Sequence, residues 1–186
     1  MRVITGAARG RKLKTLEGSD VRPTTDRVKE AVFSVIQFEV QGAKVLDLFA
    51  GSGQMGIEAL SRGAGLAVFV DQSKRSLEVV RDNLKSTGLA SGSRVVAMDY
   101  ESFLSGCKDR FDIAFLDPPY HDGILQTALP LVAAHMEPEG VILCEHQKGE
   151  ELPERAVDFA LHRQYNYGKI TVSAYRAAPA ERREEV

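Results

Sequence analysis

From Ala43 to His146 the chain alternates short, almost wholly apolar runs with amphipathic stretches. The apolar runs are Lys44–Phe49 (KVLDLF), Ala67–Asp71 (AVFVD), Arg94–Asp99 (RVVAMD), Phe111–Asp117 (FDIAFLD) and Gly140–His146 (GVILCEH). A strand with no polar alternation must be covered on both faces, and the stretches between supply that cover. They read as helices over Gln54–Arg62, Lys74–Ser86 ending at Gly88, a short piece reaching about Cys107, and Ile124–Met136. Strand and helix in strict alternation give a mostly parallel sheet with helices on both faces, an α/β Rossmann-like fold.

The ends of the chain differ from this body. Phe159–Tyr165 and Ile170–Tyr175 are β-compatible and joined by Asn166-Tyr167-Gly168-Lys169, which reads as a terminal hairpin antiparallel to the rest. At the front, Arg2–Thr5 and Arg11–Leu16 flank the Gly-bounded turn Gly6–Gly10 and read as a second hairpin. Pro23 then holds Arg22 extended. Thr24 or Thr25 can cap a helix over Asp26–Gln37, whose core stripe is Val28, Val32, Val35 and Ile36. The expected organisation is a basic arm over 1–24, a body over 25–178 and a charged, frayed tail over 179–186.

At 186 residues the chain has the length of one domain with a short appendage. No apolar run nears the roughly 20 residues that span a bilayer. Two cysteines, Cys107 and Cys144, fit neither a disulfide framework nor zinc-ligand spacing, so no metal is expected and a reducing cytoplasm suits the chain. The net charge of −2 argues against a globally basic nucleic-acid binder. It conceals an asymmetry. Residues 1–29 hold eight basic side chains against three acidic ones, a net of +5, which leaves sixteen basic against twenty-three acidic, or −7, for the remainder. A basic arm on an acidic body points to a polyanionic partner, although a merely solvated basic segment would have the same composition.

In open α/β sheets ligands bind outside the carboxyl ends of the strands, and chemistry-bearing residues recur there. The first strand ends in Asp47-Leu48-Phe49-Ala50-Gly51-Ser52-Gly53 and a helix opens at once. Gly51 and Gly53 let a ligand approach the backbone. Gly51 to Gly56 also match G-x-G-x-x-G, the dinucleotide fingerprint, which is weak on its own. Asp71 ends the next strand, where a carboxylate can take ribose hydroxyls or cap the following helix; Gln72 follows it. Asp47 ahead of the glycines would repel a pyrophosphate and favour a cationic or amine-bearing ligand. The fourth strand ends in Asp117-Pro118-Pro119-Tyr120. Prolines lack N–H donors, so their carbonyls stay free as acceptors; Asp117 adds carboxylate oxygens and Tyr120 a flat ring. Such a site suits a planar amine.

DLFAGSG, an acid at the next strand end and DPPY together resemble class I S-adenosylmethionine-dependent methyltransferases that act on amines. RVITGAARGRKL followed by VRPTTDRVKEAVFSVI, and Tyr167-Gly168-Lys169 before the last strand, are similar to the RsmD family, which methylates guanine N2 in small-subunit ribosomal RNA. The likeness runs to about Arg176. It implies a seven-stranded sheet with its last strand antiparallel. It also implies that Asp47, Gly51 and Gly53 hold the methionine end of S-adenosylmethionine, that Asp71 holds the ribose hydroxyls, and that Phe49, Ala50 and Gln72 bind the same cofactor. Asp99 and Tyr100 would meet the adenine, with Asp99 equally able to cap the next helix. Asp117, Pro118, Pro119 and Tyr120 would form the catalytic pocket for the target base. The family more often has Glu where Asp71 stands. The expected partner is 16S ribosomal RNA on the small subunit, held by Arg9, Arg11, Lys12, Arg22 and Arg27, with a monomeric enzyme. His121 is expected to face solvent or RNA, since methylating an amine needs no strong base. An adenine-N6 methyltransferase would need nearly the same pocket. A non-catalytic RNA-binding module would need only the arm, and an NAD oxidoreductase only the glycines and Asp71.

Overall fold

A computed structural model describes residues 1–16, 25–119 and 123–178. Its strands are β1 (Lys44–Leu48), β2 (Leu66–Asp71), β3 (Ser93–Ala97), β4 (Phe111–Leu116), β5 (Met136–Gln147), β6 (Arg155–Ala156), β7 (Phe159–Tyr167) and β8 (Ile170–Ala177). They form one sheet in the order β3-β2-β1-β4-β5-β8-β7-β6. The first five in that order are parallel; β8 lies antiparallel between β5 and β7. This is the expected arrangement, with the two-residue β6 added at one edge.

The helices are α1 (Asp26–Val35), α2 (Gln54–Ser61), α3 (Lys74–Thr87), α4 (Tyr100–Gly106) and α5 (Ile124–Ala133). Side-chain alternation along the strands divides the core into two layers. Leu46, Leu48, Val68, Val70, Ala114 and Leu116 pack with Phe103, Leu104, Leu125, Leu129 and Val132 of α4 and α5. Val45, Phe69, Ile113 and Phe115 pack the other way, with Val32 and Phe33 of α1, Ile57 of α2, and Leu77, Val80 and Leu84 of α3. Asp47 follows the alternation of Val45 and so lies under α2.

Two helices depart from the sequence reading. On α1, Phe33 is fully buried with Val28, Val32 and Ile36, while Val35 is only partly covered. The apolar stripe of a globular helix is wide enough to take in a second residue per turn. Helix α5 stops at Ala133, and Met136 already pairs with Phe111 in β5. Met136 continues the apolar spacing of Val132, so periodicity alone runs the helix on. The register then jumps to Ile113 opposite Val141. That bulge needs Gly140, where a Cβ would sit 2.9 Å from the Asp112 carbonyl oxygen.

The front of the chain is a hairpin closed by Val3 N–H to Arg11 O (2.9 Å), Gly10 N–H to Val3 O (2.9 Å) and one bridge between Arg2 and Lys12. Val3, Ala8 and Leu13 enter the α1–α3 core layer. Gly6, at φ 87°, presses so close to α2 that a Cβ would lie 1.7 Å from Ser61 O. Glu58 of α2 is completely buried and accepts the N–H groups of Ile4 (2.8 Å) and Thr5 (3.0 Å) and the Arg62 guanidinium (2.8 Å). Lys29, one of the basic residues in the front segment, is also fully buried, 3.6 Å from Glu58 and donating to Arg2 O at 2.6 Å. It is a structural cation, outside any surface that could meet phosphate. Thr25 caps α1, accepting from Val28 N–H at 3.3 Å. Among the described residues, no helix is long and apolar enough to cross a membrane.

Candidate active site

The strand order sets four carboxylates side by side along the carboxyl edge of the sheet. Asp99 follows β3, Asp71 ends β2, Asp47 lies in β1 and Asp117 follows β4. At about 4.8 Å per strand the row spans roughly 14 Å. A cavity of about 810 Å³ opens along it, lined by all four aspartates and by Phe49, Ala50, Gly51, Gln72, Tyr100, Pro118 and Pro119. Gly53 takes a different place. At φ 76° it is the N-cap of α2, with its α-carbon turned to Val80 and Phe69. Tyr120, His121, Arg22 and Thr24 lie outside the described residues.

The glycine loop is held from beneath. Asp71 Oδ2 accepts from Gly51 N–H at 2.9 Å and Oδ1 from Ser73 N–H at 2.8 Å. Ser73 caps α3, so Asp71 is not its cap. Each Asp71 oxygen keeps a further acceptor position for a hydroxyl. The third glycine has a packing reason: a Cβ on Gly56 would meet the Phe69 ring at 2.3 Å and Asp47 Oδ2 at 3.1 Å. Phe49 carries φ 68°, a conformation that a bulky side chain rarely adopts. Its ring packs on Tyr100 with centroids 5.3 Å apart. Backbone strain of this kind costs on the order of 1–3 kcal/mol and collects at ligand sites.

The aspartates differ electrostatically. Asp47 is buried and accepts one hydrogen bond, from Gly56 N–H at 2.9 Å. Burial pushes its carboxyl up to about 7, against the pull of that N–H and with a smaller push from Asp71. A carboxylate this desolvated ionises far more readily beside a cation. Asp99 is exposed, and the Ser102 N–H that it caps, at 2.9 Å, holds its carboxyl below the usual range. It therefore serves as the cap of α4 and also faces the cavity.

Several lining residues carry no local sequence signal: Met1, Thr15, Leu16, Gln54, Met98 and Ile124. Thr15 and Leu16 arrive because the front hairpin is docked on α2, a long-range consequence of Glu58. Arg9, Arg11, Lys12 and Arg27 are all exposed, the first three on that same hairpin.

A family model described as conserved hypothetical protein 95 matches residues 1–176. YlbH of Bacillus subtilis, whose name assigns it to rRNA methylation, is 41% identical over 95% of this chain and 98% of its own length. The Escherichia coli protein named ribosomal RNA small subunit methyltransferase D is 34% identical over 95% of this chain and 89% of its own length. Among solved structures, the E. coli methyltransferase yhhF superposes with a TM-score of 0.85 at 34% identity, covering 95% of this chain and 97% of that one. With nearly its whole length matched by the family model, and with a glycine loop and an Asp-Pro-Pro strand end meeting at one cavity, the chain belongs to the RsmD family of methyltransferases.

Proposed function

We propose that this protein transfers a methyl group from S-adenosylmethionine to the exocyclic N2 of a guanine in 16S ribosomal RNA of the small subunit. The observation that carries the reading is the adjacency of the Asp117-Pro118-Pro119 strand end to Asp47 and the glycine loop, one strand apart in one cavity. The names of the relatives supply the class of RNA. The donor set fits the cofactor: a buried carboxylate at Asp47 for a cation, Asp71 for ribose hydroxyls, and Asp99 with Tyr100 for an adenine. When bound, the cofactor supplies a methyl group already activated by its sulfonium.

What the chain must add is position. The guanine amine is a weak nucleophile because its lone pair is delocalised into the ring. Accepting its N–H groups at the Asp117 carboxylate and the Pro118 carbonyl favours a pyramidal nitrogen and aims the lone pair along the transfer axis. Asp117 is also the acceptor for the proton released. Tyr120 would stack on the base once it leaves its helix, and such stacking is worth about 1–3 kcal/mol. Arg9, Arg11, Lys12, Arg22 and Arg27 would grip the phosphates of the RNA. The setting that this substrate requires is the cytoplasm, and a monomer suffices.

The test is mass analysis of ribosomal RNA from a deletion strain, complemented with wild type or with Asp117→Ala. Loss of one N2-methylguanosine, restored by wild type and not by Asp117→Ala, is expected, with S-adenosylhomocysteine binding retained by the variant. Unchanged methylguanosine in the deletion strain overturns the substrate, and a deficit in N6-methyladenosine would assign the base to adenine instead.

A further inference from the structure

Gln54, the first residue of α2, has only 7% of its surface exposed and lines the cavity. Its side-chain oxygen Oε1 is fully enclosed and accepts no hydrogen bond from any described residue. Among the described residues it is the one buried side-chain nitrogen or oxygen left in that condition. Burying an acceptor without a donor is costly, and such groups in folded proteins call for a reason. Packing does not give one, because Met or Leu would fill the same space without an orphaned oxygen. Helix capping does not either, since the α2 cap is Gly53 and makes no side-chain bond.

Because Gln54 lines the cavity, a ligand of that cavity can supply the missing donor. Gln54 directly follows the glycine loop, and Asp47, bonded to Gly56 N–H, shares the first turn of α2 with it. Two acceptors, one of them a carboxylate, therefore belong to the cavity wall at the start of α2. A carboxylate ligand would be repelled by both. An ammonium matches, because it has three N–H donors and a positive charge. In the row, Asp71 lies one strand from Asp47 on one side with Asp99 beyond it, and Asp117 lies one strand away on the other side. We infer that Gln54 is a cofactor-binding residue whose side chain turns its enclosed Oε1 into the cavity to accept a hydrogen bond from the α-ammonium of the methionine moiety of S-adenosylmethionine, alongside Asp47. This rests on the cofactor reading above.

The test is isothermal titration calorimetry with two ligands that differ in that moiety. S-Adenosylhomocysteine carries the α-ammonium; 5′-methylthioadenosine lacks the whole amino-acid end. Gln54→Leu should weaken S-adenosylhomocysteine about tenfold, the loss expected of one charge-assisted hydrogen bond, and leave 5′-methylthioadenosine within about twofold. Gln54→Glu keeps an acceptor and should hold S-adenosylhomocysteine within about threefold of wild type. An unchanged S-adenosylhomocysteine affinity in Gln54→Leu, or equal losses for both ligands, overturns the assignment. Failure of the wild-type protein to bind either ligand would instead overturn the cofactor reading on which it stands.

Discussion

Replacing Asp47 with Asn should stabilise the ligand-free protein at neutral pH and weaken its hold on the cofactor. Burial raises the Asp47 carboxyl from 3.8 to about 7. That is roughly three powers of ten in proton affinity, or about 4 kcal/mol of resistance to ionisation in the folded chain. Between about pH 4 and pH 7 the folded protein keeps a proton that the unfolded chain has released, so stability falls as pH rises through this window. Asn carries no such dependence, and it can keep an oxygen on the Gly56 N–H. Whatever Asn costs in packing is constant with pH and cancels when two pH values are compared. The stability difference between variant and wild type should thus shift by about 3 kcal/mol in favour of Asn from pH 5 to pH 8. Urea unfolding at the two pH values measures it. A difference that does not change with pH would refute the reasoning, because it would mean that Asp47 titrates normally. The same argument predicts proton release on binding. A cationic ligand draws Asp47 into its charged form, so titration of S-adenosylhomocysteine near pH 6.5, in buffers of about equal pKa but different ionisation enthalpy, should report up to about one proton leaving wild type and none leaving Asp47→Asn.

Three further outcomes follow from the geometry. Glu58→Ala strands buried Lys29 and frees the Ile4 and Thr5 N–H groups; the expected loss is about 3–5 kcal/mol, a fall in Tm of roughly 6–20 °C by calorimetry. Gly56→Ala forces a Cβ against the Phe69 ring and should cost about 1–3 kcal/mol in urea unfolding while weakening S-adenosylhomocysteine; undiminished affinity would show that the first turn of α2 does not shape the cavity. Changing Arg9, Arg11 and Lys12 together to Ala should lower RNA affinity and flatten its logarithmic salt slope by roughly 2–3, read by filter binding; an unaltered slope would place these side chains away from phosphate.

The parts of the site that could be read from sequence share one property: each is a local pattern at a strand end. Asp47 to Gly53 and Asp117 to Pro119 announce themselves because the strand-to-helix switch is visible in the hydrophobic period, and the polar residues sit at the switch. The parts that escaped depend on contacts between distant segments. Lys29 counts as arm charge in any tally along the chain, because nothing near it in sequence reveals Glu58. Thr15 and Leu16 reach the cavity because Gly6 and Ala8 seat the front hairpin on α2 and Asn83 of α3 holds the backbone of Lys14. The strain at Phe49 is a backbone property with no compositional trace. Gln54 looks like an ordinary first-turn helix residue until its oxygen proves to have no donor.

Asp47 and Asp71 show how one residue type performs two jobs one strand apart. Asp71 has both oxygens engaged by backbone N–H groups of the loop and of the α3 cap, so it fixes the shape of Gly51 before any ligand arrives. Asp47 has one such bond and is otherwise desolvated, so its charge is costly until a cation shares the cavity. The first arrangement favours a rigid loop. The second makes ionisation and cation binding reinforce each other, since each lowers the free energy of the other by the same amount. The acidic body of this chain is therefore not uniform negative charge. It includes one carboxylate that braces the glycine loop while keeping acceptor positions for a ligand, and one whose charge is costly until a cation arrives, so Asp47→Asn is expected to stabilise the ligand-free protein and impair binding together.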